Sequence, residues 1–116
     1  MRLEGRDLAR LRDIDIYATR ALEYLEQAGT GAPSTLVQDA ILRCFDVIGE
    51  AARATNPEVM AAFPAIPWPF MISMRNRVIH EYHRVDLPLV YATVRNDLPA
   101  LIAQVRAILD QQGPTA

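Results

Sequence analysis

The chain of 116 residues has no lysine, one cysteine and no long hydrophobic run. Each absence excludes something. A lone Cys44 cannot form an internal disulfide or build a cysteine-based zinc site, and sparse cysteine fits a reducing cytoplasm. Strongly apolar stretches such as Phe70-Met71-Ile72 are only a few residues long, so none is expected to span a bilayer. The segment Met1-Arg2-Leu3-Glu4-Gly5-Arg6-Asp7 carries acids and no apolar core, so it does not read as a secretory signal. The chain also lacks an excess of positive charge, with a formal net charge of −2 and a pI near 5.6. A polyanion would therefore need a local patch of arginines, and all twelve basic residues are arginine. That uniformity carries no functional reading by itself.

The remaining composition is that of a globular domain, 51% hydrophobic and 22% charged. A chain of this length hides roughly two-thirds of its surface on folding, enough for one core. One domain over residues 1–116 is the expectation.

Periodicity gives four helical segments. The first runs from about Asp7 to Ala28, with Leu8, Leu11, Ile14, Ala18, Ala21, Leu22 and Leu25 on one stripe and Gly29 as its stop. The second opens at Ser34 or Thr35, where Thr35 and Gln38 have capping-box spacing, and ends at Asn56-Pro57. Its apolar stripe is Val37, Ala40, Ile41, Cys44, Val47 or Ile48, Ala51 and Ala52. Asp39, Arg43, Asp46, Glu50 and Arg53 read as the solvated face opposite. A linker with one short turn at Glu58–Met60 leads to Pro64, Pro67 and Pro69, which aim a third helix over Pro69–Glu81. The fourth begins with Asp86 as N-cap and Pro88 in its first turn, runs towards Gly113, and is kinked by Pro99. No alternating run supports a strand. The expected fold is all-α, an antiparallel four-helix bundle.

The third helix carries the anomaly. At about 100° per residue, Asn76 and His80 are neighbours on a polar side with Ser73 and Arg77. Arg75 and Tyr82, seven residues apart, fall among Met71, Ile72, Val78 and Ile79 on the apolar arc. An arginine there needs a carboxylate partner, a route to solvent or a polar cavity. Taken singly, His80 reads as a surface or capping histidine and Tyr82 as a core tyrosine with a wet hydroxyl. Together they supply phosphate charge, hydrogen bonding, a proton-transfer group and a hydroxyl. Arg75 and His80 diverge by about 140° on an ideal helix. Either the helix loosens or a second copy of the chain completes the site, and the two-fold arrangement is the preferred expectation.

The run Arg75-Asn76-Arg77-Val78-Ile79-His80-Glu81-Tyr82 resembles the Rx4HxY motif of HepT-like toxins in the HEPN superfamily. The likeness extends to Ile48-Gly49-Glu50-Ala51-Ala52, Ile66-Pro67-Trp68, Val85-Asp86 and Asp97-Leu98-Pro99, in order and spacing. His83 departs mildly, standing where relatives commonly have an aromatic residue. The resemblance implies a HEPN-like homodimer and a metal-independent endoribonuclease that is the toxin of a toxin–antitoxin pair. It also implies an MNT-type nucleotidyltransferase antitoxin able to silence the chain by transferring AMP to Tyr82.

On that reading His80 is the general acid or base and Arg75 clamps the phosphate in a transesterification by the 2′-hydroxyl. Asn76 orients His80 or the phosphate, and Arg77 with Arg84 forms the local RNA patch. The Tyr82 hydroxyl is expected to open on the same groove as Arg75. No metal or other cofactor is required. Glu50 could pair with Arg75, though its helix position groups it with the exposed charges, and Cys44 reads as inert core. Three rivals differ in class. One is a non-catalytic HEPN module that binds nucleotide or RNA and scaffolds a partner enzyme. Another is a dimeric helical interaction protein whose motif is structural. The third, a DNA-binding repressor, lacks a basic recognition helix.

Overall fold

A computed structural model describes residues 1–112. The architecture is an all-α bundle of six helices, with no strand among the described residues. They are α1 (Gly5–Gln27), α2 (Thr35–Arg53), α3 (Pro57–Ala62), α4 (Trp68–His80), α5 (Leu87–Asn96) and α6 (Leu98–Gln111).

The ends follow from local chemistry. The Glu4 N–H donates to Asp7 Oδ2 at 3.1 Å, satisfying one donor at the start of α1. Gly29 closes that helix with φ of +65°, which a side chain would disfavour. The cap of α2 is Ser34, whose Oγ accepts from the Val37 N–H at 3.2 Å. The Thr35–Gln38 capping box is therefore replaced: Thr35 is already helical, and Gln38 donates back to the Pro33 carbonyl at 3.0 Å. The turn foreseen at Glu58–Met60 is the full helix α3, capped by Asn56 and started by Pro57.

The proline-rich link is fixed by the Trp68 indole N–H, which donates to the Phe63 carbonyl at 3.1 Å. Further on, Asp86 caps α5 by accepting from the Leu89 N–H at 3.1 Å. The expected kink at Pro99 is a break between α5 and α6 at Asp97. Pro99 has no N–H for the Arg95 carbonyl, and its ring crowds that group. The position suits the start of a new helix better than the interior of an old one.

The long segments pack antiparallel. α1 lies between α2 and α6, and α4 packs on α2. Arg106 Nε on α6 meets Asp15 Oδ1 on α1 at 2.9 Å, and the Leu3 N–H donates to Gln112 Oε1 at 3.0 Å. Leu11, Ile14, Ile41, Ile48, Val94 and Val105 are all fully buried or nearly so. Each contributes about 1.5–3 kcal/mol of burial. Cys44 is part of that core, and burial pushes its thiol up to about 11, so it is an inert apolar group as expected.

Gly49 sets the approach of α4 to α2. A Cβ at this position would run into Arg75 Cβ and lie 2.8 Å from the Met71 carbonyl oxygen. The glycine is required here by close approach rather than by backbone conformation, and it seats the stem of Arg75 directly on α2.

Candidate active site

Arg75 leaves α4 over Gly49 and turns its guanidinium along α2. Its Nε lies 3.4 Å from Asp46 Oδ1 and 3.4 Å from Glu50 Oε2, and the side chain is 23% exposed. Nε is buried and makes no directed hydrogen bond, so the contact is a charge pairing rather than a fork. Arg75 Nη1 donates to Asn76 Oδ1 at 3.4 Å. Glu50 is also held by Arg53 at 2.8 Å and Asp46 by Arg43 at 3.0 Å. The Glu50 carboxyl is held below its ordinary range by its hydrogen bonds from Arg53, helped by the charges of Arg53, Arg75 and Arg10.

This corrects the reading of α2. The charges of Asp46 and Glu50 are a flank laid against α4, not only a solvated face. Two signals in the sequence pointed there: an arginine on an apolar arc, and a glycine beside the glutamate.

Asp39 belongs to the same flank. Tyr82 Oη donates to Asp39 Oδ1 at 3.1 Å, and that acceptor pushes the phenol above its ordinary value. The Tyr82 ring meets His83 edge-on, with centroids 5.6 Å apart. Tyr82 lies past the end of α4, in the turn closed by the Arg84 N–H to the Glu81 carbonyl at 2.6 Å. Arg75 and Tyr82 thus both reach α2, as their spacing predicts, but at partners seven residues and roughly 10 Å apart. The expectation that the hydroxyl opens beside Arg75 is corrected accordingly.

His80 is the last residue of α4 and is exposed. It lines two open grooves. The first, of about 590 Å³, has Met60, Trp68, Pro69 and Ile72 as its apolar wall. Its polar edge is Ser73, Asn76, Arg77 and His80, with Glu81 beside them. The second, of about 530 Å³, brings His80 together with Tyr82, His83 and Arg84. Arg75 lines neither. One chain therefore groups Asn76, Arg77 and His80 on one side and Tyr82, Arg84 and His80 on the other, while Arg75 faces α2. Helix α4 stays regular through His80, so the divergence of Arg75 from His80 is not relieved by loosening. Among the described residues no group of three His, Cys, Asp or Glu converges as a metal-ligand set, and no helix is long and apolar enough to cross a membrane.

The model of the family described as Ribonuclease HepT-like matches residues 9–108, a span that includes all of these groups. The chain belongs to the HepT-like ribonuclease family. Among its relatives is "Putative RNase MJ1380" of Methanocaldococcus jannaschii, 33% identical over 63% of this chain and 67% of that protein. A second protein of that organism, "Putative RNase MJ1216", is 29% identical over 89% of this chain and 82% of its own length. "Probable ribonuclease HepT" of Thermococcus cleftensis is 38% identical over 55% of this chain and 58% of its own. No solved structure matches the chain. For this HepT-like chain the helical bundle and the family agree.

Proposed function

We propose that this chain is a metal-independent endoribonuclease acting as the toxin of a toxin–antitoxin pair. RNA is cut by attack of a 2′-hydroxyl on the adjacent phosphorus. The P–O bond to the 5′-oxygen breaks, leaving a 2′,3′-cyclic phosphate and a 5′-hydroxyl. His80 moves the proton, Arg77 and Arg84 hold neighbouring phosphates, and Asn76 links Arg75 to the His80 groove. The observation that carries the reading is an exposed His80 at the meeting of two grooves, each with an arginine in its lining.

Arg75 acts as the phosphate clamp across a two-fold axis, completing the groove of a second copy. The test is a mixed dimer of Arg75→Ala and His80→Ala chains. If the two residues serve one site from different protomers, the mixture regains cleavage that each variant alone lacks. No regain would mean that the site is not shared. Tyr82 is the acceptor of AMP from an MNT-type nucleotidyltransferase antitoxin. The added nucleotide would place bulk and negative charge at the groove of His80 and Arg84 and repel RNA. Intact mass with and without Tyr82→Phe checks that assignment.

The pairing of Arg75 with Asp46 and Glu50 favours a second reading, a non-catalytic HEPN module that binds RNA or nucleotide as a scaffold for a partner nucleotidyltransferase. It predicts RNA binding without cleavage from unmodified dimeric protein.

A further inference from the structure

We infer that the groove between α3 and the outward side of α4 is a subsite for one unpaired base of single-stranded RNA. The inference rests on the ribonuclease reading and adds to it what the strand must offer. The groove has two unlike ends. Met60, Trp68, Pro69 and Ile72 form a wall with little to offer a phosphate. The side chains of Arg77 and His80, at the polar end, have no ion-pair or hydrogen-bond partner among the described residues, unlike that of Arg75. A nucleotide has the same division, a flat apolar base joined through its sugar to an anion.

Ser73 and Asn76 between the two ends carry donors and acceptors for a base edge, and Glu81 adds an acceptor for an exocyclic amine. The volume of about 590 Å³ is in the range of small-molecule sites. Only an unstacked base can enter while its phosphate stays at Arg77 and His80, so duplex RNA is excluded and loops or single strands are selected. The base seated against Ile72, over the edge of the buried Trp68, would fix the register of the adjoining phosphate at His80.

Trp68 is the only tryptophan and lines the groove, so its emission reports occupancy. The probe is a tetraribonucleotide with 2′-O-methyl groups, which cannot be cut by its own 2′-oxygen, beside an oligomer with the same phosphates and no bases. The base-bearing oligomer should shift Trp68 emission and bind about tenfold more tightly than the abasic one. Ser73→Phe, which fills the groove from an exposed helix position, should remove that difference. Ile72→Asn, a second variant that roughens the wall, should reduce it. Equal binding of the two oligomers overturns the subsite, even where RNA is cleaved. So does base-dependent binding that leaves Trp68 emission unchanged, because the base is then held elsewhere. Absence of cleavage with intact base-dependent quenching overturns the ribonuclease reading and leaves the subsite standing.

Discussion

The two sides of α4 handle positive charge in opposite ways. Arg75, seated on Gly49, is three-quarters covered and faces two carboxylates of α2 at 3.4 Å. Arg77 and His80, on the outward side of the same helix, are exposed at a groove and pair with no carboxylate among the described residues. A cation already neutralised by its own fold meets a phosphate only by giving up or sharing its partners. A cation in an open groove meets one directly. The contrast shows one short helix serving packing on one side and an open groove on the other. It also separates what substitutions on each side should do.

Removing the groove's proton-transfer group should have the largest effect. His80→Ala is expected to lower RNA cleavage by about 10²–10⁴-fold, the usual contribution of an acid–base group. Its unfolding free energy should change by less than about 0.5 kcal/mol, since the side chain is exposed. Denaturant unfolding beside the cleavage assay checks both halves, and a large loss of stability would make His80 structural instead.

Gly49→Ala attacks the other side. The added methyl cannot fit between α2 and the Arg75 stem, so a destabilisation of about 1–3 kcal/mol is expected from overpacking. Cleavage should fall as well, because Arg75 is displaced with α4. An unchanged unfolding midpoint would show that the helices part without strain.

Arg75→Gln should fall between these two. Asp46 and Glu50 lose a shared counter-ion but keep Arg43 and Arg53, so the stability loss should be about 1 kcal/mol or less. A much larger loss would favour a purely structural arginine.

The smallest effect concerns Tyr82. Its hydrogen bond to Asp39 favours the neutral phenol, so its folded-state midpoint lies above the ordinary value of 10. A raised value means that the associated stability is fully present below the unfolded midpoint and is lost as pH rises through the folded one. Spectroscopic titration should place Tyr82 above free tyrosine, and Asp39→Asn should return it towards the ordinary value. Identical titration of both proteins would remove the contact from the account.

Much of this arrangement was legible in the residues. Leu8 to Leu25, Gly29 and the cap at Asp86 marked helices and their ends because burial and capping act locally. The motif on α4, with Asn76 and His80 on one side and Arg75 turned away, followed from the helical repeat alone. What escaped the sequence was long-range. Nothing local to Asp39 and Asp46 distinguishes a flank packed beside α4 from a face in water, since each is spaced for pairing within its own helix; only Glu50, next to Gly49, carried a hint of its pairing with Arg75. The break at Pro99 was read as a kink because hydrophobic periodicity continues through it. The wall formed by Met60 and Trp68 required knowing that α3 and α4 line one groove, which the prolines aim but do not specify.

The central claim is that the open side of α4 performs metal-free RNA cleavage through His80. The direct test is incubation of purified, unmodified protein with total cellular RNA in excess EDTA, beside His80→Ala. Cleavage that survives the chelator and vanishes in the variant is the predicted result. RNA left intact by the wild-type protein, or cut equally by His80→Ala, would contradict it.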